Sequence, residues 1–162
     1  MENSNLRRTN AMHQVVVANL EHEIKRGIRN FACKVMRGAK YDWGLDKVYV
    51  PDISILCGET NLEKPCFEDV PRFIAEILTD ESENEDRHEK KMAYAKAGVE
   101  EYWLVDWRVP GCRIERYMLS DDGNEFLQHD IVYGKDDEEI AIIVFQSVCF
   151  RIRDLLENEN EY

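Results

Sequence analysis

Two carboxylates interrupt runs that otherwise read as buried strand: Asp52 in KVYVPDISILC, directly after Pro51, and Glu76 in FIAEIL. An unpaired carboxylate in an apolar layer is costly enough that it takes up a proton or demands a partner. Two such acids on neighbouring strands form a ready site for a hard divalent cation, which takes oxygen ligands and keeps several waters. The helical pattern that follows adds Lys90, with Asp86 and Tyr94 four residues to either side and therefore on the same helix face. Two readings of the Asp86–Lys90 pair stand side by side. One is a solvent-exposed ion pair worth only tenths of a kcal/mol; the other puts Lys90 over the two strand carboxylates. Glu76 likewise reads either as a ligand or as a structural acid paired with a buried Arg or Lys.

The elements that must position these groups follow from apolar spacing. The stretch Arg72–Val105 reads as a strand–helix–strand unit, with Gly98 suited to a helix C-cap. Before it, Val16, Leu20, Ile24 and Ile28 predict an amphipathic helix from about Asn10 to Arg29. His13 lies in its first turn, where a lone histidine is more often a packing or capping group than a catalyst. Glu21 and Glu23 read as solvated helix acids. FACKVMRGAKYDW and KVYVPDISILC read as strands joined through a turn around Gly44–Asp46, and residues 58–70 as a loop edging a cleft. From Asp80 to Glu89 six of ten residues are acidic, which predicts a solvated loop entering the helix at its favoured negative end. CRIERYMLS, FLQHDIVYG and EIAIIVFQSVCFRIRDLL supply further strands, read as scaffold or interface, and a short closing helical turn.

A chain of 162 residues fits one domain, with frayed ends expected at 1–9 and 157–162. No apolar run approaches the roughly 18 to 20 residues of a bilayer span, and the polar start lacks the apolar core of a signal peptide. A cytoplasmic protein without membrane partners is expected. Five widely spaced cysteines, Cys33, Cys57, Cys66, Cys112 and Cys149, show no CxxC pair and no zinc-ligand spacing, so they read as reduced and mostly buried small apolar residues. The net charge of −12 argues against coating nucleic acid by bulk electrostatics. It hides an asymmetry: residues 1–50 carry nine Lys and Arg against five Asp and Glu (+4), leaving 12 against 28 (−16) for the rest. A polyanion would meet the N-terminal third, where Lys25, Arg26 and Arg29 are the candidate contacts, followed by Lys34, Arg37 and Lys40.

With PDISI, FIAEILT, DRHEKKMAYAKAGVEEYWLVD and a closing hydrophobic segment in that order, the chain resembles the Uma-two family of restriction endonucleases, a branch of the PD-(D/E)XK nuclease-like superfamily. The resemblance runs from about His13 to Leu155. Its most specific part is a D-x-x-x-K-x-x-x-Y-x-x-x-G-V-x-E-Y-W run, matched by Asp86, Lys90, Tyr94, Gly98, Val99, Glu101, Tyr102 and Trp103. It implies an α+β fold with a restriction-endonuclease-like core, a mixed β-sheet flanked by helices, and additional C-terminal strands. It also implies that Asp52 and Glu76 bind Mg²⁺ or Mn²⁺ while a lysine assists hydrolysis of DNA phosphodiester bonds. The superfamily's usual lysine, two positions after the second acid, is replaced here by Leu78, which assigns the positive charge to Lys90; Thr79 stands where the family more often has Ser. His13, Asp86 and Tyr94 are candidates for supporting roles. The alternative is a nuclease-fold protein without activity, an interaction or regulatory module forming a homodimer through its later strands.

Overall fold

The computed structural model describes residues 10–157. The ends expected to fray lie outside them, apart from Glu157, whose carbonyl accepts a hydrogen bond from Asn19 Nδ2 at 2.8 Å. The strand β3 (Phe73–Ile77) is buried along its whole length, and its two faces meet different layers. Phe73, Ala75 and Ile77 join one core, whereas Ile74 and the following Leu78 join another. Because side chains alternate across a strand, Glu76 points to the second side.

Around β3 lie β1 (Cys33–Arg37), β2 (Ile53–Cys57), β4 (Glu101–Asp106), β5 (Arg113–Leu119) and β6 (Phe126–Tyr133). They form one mixed six-stranded sheet in chain order, in which only β3 and β4 run parallel. A parallel neighbour needs a crossover, and α2 (Glu83–Arg87) with α3 (Glu89–Ala97) provides it. Gly98 ends α3 in the left-handed region at φ 99°, where its missing Cβ avoids strain.

On the opposite face lies α1 (Ala11–Gly27), whose buried residues Val16, Val17, Leu20 and Ile24 give it the expected inward stripe. A hairpin of β7 (Glu139–Ile142) and β8 (Phe145–Arg151) shares that core through Ile140, Ile142, Val148 and Phe150. Gly27 lets α1 approach β8 closely, since a Cβ there would sit 2.7 Å from Val148 Cα. The buried Glu101 fastens the hairpin to the sheet by accepting from the backbone N–H groups of Ile143 and Val144 at 3.0 and 2.9 Å and from Trp103 Nε1 at 2.8 Å. The later strands thus include the scaffold that the sequence suggests, closed by a 3₁₀ turn at Ile152–Leu155.

Three expectations are corrected. KVYV does not extend β2: only a Tyr41–Tyr49 bridge spans the connection, and Val48 and Val50 are exposed. Pro51 has no N–H for a ladder, and Gly38 at φ 63° turns the chain away from β1. The Asp80–Glu89 segment is largely helical, because cations distant in sequence neutralise it: Arg108 pairs with Asp80 and Glu83, and Lys47 with Glu85 and Glu89, while its own Arg87 reaches Glu83 and Glu115 on β5. The residues 58–70 do form a loop, anchored by Phe67 against Tyr41.

The third correction is that Cys33 and Cys57 form a disulfide, while Cys112 is buried, Cys66 half-buried and Cys149 exposed. The antiparallel register sets Cys33 directly opposite Cys57, a pairing that sequence spacing alone does not reveal. The bond closes a segment with a sequence separation of 24. A loop of that size restricts the unfolded chain by about 3 kcal/mol. Reduction, or Cys33→Ser, should therefore lower urea-unfolding stability by about 2 to 4 kcal/mol. An identical urea midpoint with and without reductant would show that the bond contributes nothing.

Candidate functional site

Asp52 sits one residue before β2, and the register Ile53 to Ala75, extended by one step, sets it opposite Glu76. Two residues opposite one another in a ladder share a face, so the two acids converge where β2 begins and β3 ends. The backbone N–H of Asp52 approaches Glu76 Oε2 at 3.4 Å, and the N–H of Ile77 donates to Asp52 Oδ2 at 2.9 Å.

The helical segment closes over this pair. Lys90 Nζ lies 2.9 Å from Asp86 Oδ1 and 3.6 Å from Glu76 Oε2, and the Tyr94 hydroxyl donates to Glu76 Oε1 at 2.7 Å. The steps of four therefore bring Asp86, Lys90 and Tyr94 to one face even though His88, between α2 and α3, leaves helical geometry. Asp86 is fixed from behind. Ser82 Oγ donates to its Oδ2 at 2.8 Å, Tyr102 donates to its backbone carbonyl at 2.8 Å, and Ser82 is itself tied to Thr79 at the end of β3. Side-chain exposures of 0% for Asp86, 2% for Glu76, 17% for Lys90 and 23% for Asp52 decide between the two readings of the lysine. It is no surface ion pair, and the open side of the cluster is formed by Asp52 and Lys90.

Three carboxyl groups share one ammonium. Burial pushes the Glu76 carboxyl well above the usual range, and the negative charges of Asp52 and Asp86 add to the shift. Burial also raises Asp86, with Lys90 opposing. For Lys90, burial works to lower the pKa, but the surrounding carboxylates outweigh it and the net shift is upward. We assign the proton to Glu76 and keep Asp86, the nearer partner of Lys90, ionised. Repulsion between Asp52 and Glu76 is thus a contributing cause of the raised affinity, with desolvation the larger one.

His13 also reaches the cluster: its Nε2 lies 3.1 Å from Asp52 Oδ2, a hydrogen bond that raises its pKa. The signal for this was its position three and four residues before Val16 and Val17, on the buried stripe of α1. Ser82 is a contributor that sequence reasoning passed over; the Thr79–Ser82 spacing before an acidic helix start was its only mark. The N-terminal cations lie apart from the cluster. Lys25 pairs with Glu21, Arg26 with Glu23, and Arg29 donates to the Arg26 carbonyl. Glu21 and Glu23 are therefore ion-pair partners, and Glu21 holds Arg37 as well. Lys91 is rotated away from the cluster, as the helix geometry requires, yet it is not free: its Nζ stands 4.0 Å from the Tyr117 ring centroid. A cavity of about 770 Å³, lined by Leu45, Tyr49, Lys91, Met92, Lys96 and Phe126 among others, lies along α3 and contains none of Asp52, Glu76 and Lys90. The chemistry-bearing groups occupy the inward side of α3.

Among the described residues no three His, Cys, Asp or Glu side chains form a ready-made metal cage. The donor set still fits a hard cation. Mg²⁺ is commonly held by one or two carboxylates with waters and substrate phosphates, and here Asp52 offers a carboxylate on the open side of the cluster beside Glu76, while the ammonium of Lys90 is engaged at 2.9 Å by Asp86. The cluster thus holds more carboxyl groups than fixed positive charge.

The raised proton affinity of Glu76 has a stability consequence. A group whose folded pKa exceeds its unfolded value contributes stability that is fully present below about pH 4.3 and lost as pH rises through the folded pKa. Glu76→Gln keeps an acceptor for Tyr94 and removes that loss. The variant should match wild type near pH 4 and exceed it increasingly at neutral and alkaline pH, as measured by urea midpoints across the range. A stability difference independent of pH would contradict the assignment of the proton.

The model of the Uma-two family, described as “Putative restriction endonuclease”, matches residues 7–144. No curated protein matches the chain. Among solved structures, the crystal structure at 1.96 Å of a “putative nuclease belonging to DUF820” from Anabaena variabilis ATCC 29413 is similar. It is 19% identical, with a TM-score of 0.65 over 91% of this chain and 81% of that one. That likeness is one of fold: a mixed sheet flanked by helices, of the nuclease type, with added C-terminal strands. Matched over most of its length, the chain belongs to the Uma-two family.

Proposed function

We propose that this protein is an endonuclease of one nuclease-like domain, hydrolysing DNA phosphodiester bonds with Mg²⁺ or Mn²⁺ held by Asp52 and Glu76. The observation that carries this reading is the convergence of those two opposed strand acids with the Lys90 ammonium, 3.6 Å from Glu76, beneath a fold of the restriction-endonuclease type. When bound, the ion supplies a Lewis acid that polarises the phosphoryl oxygens and acidifies a coordinated water.

The remaining work belongs to the chain. In hydrolysis a water oxygen bonds to phosphorus as the bond from phosphorus to one sugar oxygen breaks, and negative charge builds on the phosphoryl oxygens. Lys90 stays protonated, because its pKa is raised, so it acts as a fixed positive charge toward that developing charge and not as a base. Asp86 and Ser82 keep its position. Tyr94 holds one oxygen of Glu76 and leaves the other toward Asp52.

Lys90→Ala should reduce cleavage of plasmid DNA by about a hundredfold or more while the fold persists. Lys91→Ala is the neighbouring control. Removing its cation from the Tyr117 ring should cost at most about 1 kcal/mol of stability and leave the wild-type rate. Equal rates for Lys90→Ala and wild type would remove Lys90 from the mechanism. A wild-type protein that cleaves with neither ion would favour the inactive interaction module, a reading supported by the net charge of −12.

DNA docking is expected at the basic N-terminal third. Replacing Lys25, Arg26 and Arg29 by Gln should weaken binding and flatten the dependence of affinity on salt, by up to about 0.9 in log–log slope for each phosphate that is no longer neutralised. Arg29 should dominate, since Lys25 and Arg26 are already paired with acids. An unchanged slope would place the docking surface elsewhere.

A further inference from the structure

We infer that His13 is a positioning residue that occupies one oxygen of Asp52, so that the acid presents its other oxygen, Oδ1, to the bound ion; this rests on the metal-dependent reading above. A carboxylate can only accept, so the His13 Nε2 at 3.1 Å must be the donor to Asp52 Oδ2. The same Oδ2 takes the Ile77 N–H at 2.9 Å, and among the described residues no donor reaches Oδ1. Two donors on a single oxygen, one from the sheet and one from α1, fix the rotation of the carboxylate. Glu76 is held differently, with the Tyr94 hydroxyl on Oε1 and the Asp52 N–H and the Lys90 ammonium facing Oε2 at 3.4 and 3.6 Å.

Packing alone does not explain an imidazole at this position. The other ring nitrogen, Nδ1, is buried without a hydrogen-bond partner among the described residues. An apolar side chain on the same stripe as Val16 and Val17 would fill the space without that unpaired group. What the imidazole supplies here is the Nε2 donor to Asp52. Neighbouring donors that orient ligating carboxylates typically account for about 10- to 100-fold in metal affinity.

The test is Mn²⁺ titration of the full chain, followed by water proton relaxation, with four proteins: wild type, His13→Phe, His13→Gln and Asp52→Ala. Plasmid cleavage and urea midpoints are measured in parallel. His13→Phe should bind Mn²⁺ about 10- to 100-fold more weakly, and His13→Gln, which retains an N–H donor, should recover most of the affinity and the cleavage rate. Wild-type Mn²⁺ affinity in His13→Phe, with binding abolished in Asp52→Ala, would overturn the role of His13 and leave the metal site standing. Wild type binding no more Mn²⁺ than Asp52→Ala would overturn both. If His13→Phe does not fold, a folded His13→Gln decides: Mn²⁺ affinity as poor as that of Asp52→Ala would mean that the ring itself is needed and would overturn positioning by a donor.

Discussion

A carboxyl group sealed inside the central strand of a sheet is the constraint around which this molecule is arranged. Glu76 lies in β3 between Ile74 and Leu78, on a face otherwise packed with aliphatic and aromatic side chains. Nothing in such a layer solvates it, so each element that touches it must bring polarity of its own. Asp52 brings a backbone N–H, Tyr94 a hydroxyl and Lys90 an ammonium. Asp52 comes from the entry to β2, Lys90 and Tyr94 from α3, and their simultaneous arrival depends on the parallel β3–β4 pairing, whose crossover lays α2 and α3 over that one face.

The two cores divide the labour. On the α1 side, apolar burial between α1, the sheet and the β7–β8 hairpin sets the base, with Glu101 as its one buried polar fastening to the hairpin turn. Glu101 takes those backbone donors and Trp103 Nε1, and among the described residues no cation stands in hydrogen-bond contact with it. On the α3 side the aromatic series Trp43, Tyr49, Tyr94, Tyr102 and Phe126 packs ring against ring and keeps water from Glu76. Tyr94 and Tyr102 serve twice, burying their rings while their hydroxyls bond Glu76 and the Asp86 carbonyl.

What could be read in the sequence was whatever depends on short-range periodicity. FIAEI announces a buried strand with a misplaced acid, the α1 stripe runs at helical spacing, and Asp86, Lys90 and Tyr94 repeat every four residues. What could not be read depends on long-range pairing. The disulfide between Cys33 and Cys57 needs the register of β1 against β2, and the ordering of the acidic segment needs Arg108 and Lys47 to reach it across the chain and its own Arg87 to reach Glu115. His13 falls between these cases. Its place on the buried stripe was legible, but its carboxylate partner came 39 positions later, at the start of a strand whose N-terminal limit the KVYV run disguised.

The positive charge beside Glu76 stands on a helix and not on the strand, and that decides what holds it. A lysine at position 78 would ride on the sheet; Leu78 instead packs in the α3-side core, and its N–H bonds to the Val105 carbonyl. Lys90 approaches from a helix that is interrupted at His88, so its place is only as secure as the contacts that dock the segment. Beyond the packing of Ala93, Tyr94 and Ala95, the contacts at its N-terminal side are electrostatic: Arg87 grips Glu115 on β5 with two hydrogen bonds, Arg108 ties Asp80 and Glu83 to Asp106, and Ser82 links Asp86 back to Thr79. The acids that looked like a solvated loop are thus the means by which the helix is fastened, with Asp86 turned inward to the lysine. Their negative charge is largely matched within the fold, by Arg87, Arg108, Lys47 and Lys90, so the acidity of the segment does not by itself repel a phosphate from the open side at Asp52 and Lys90.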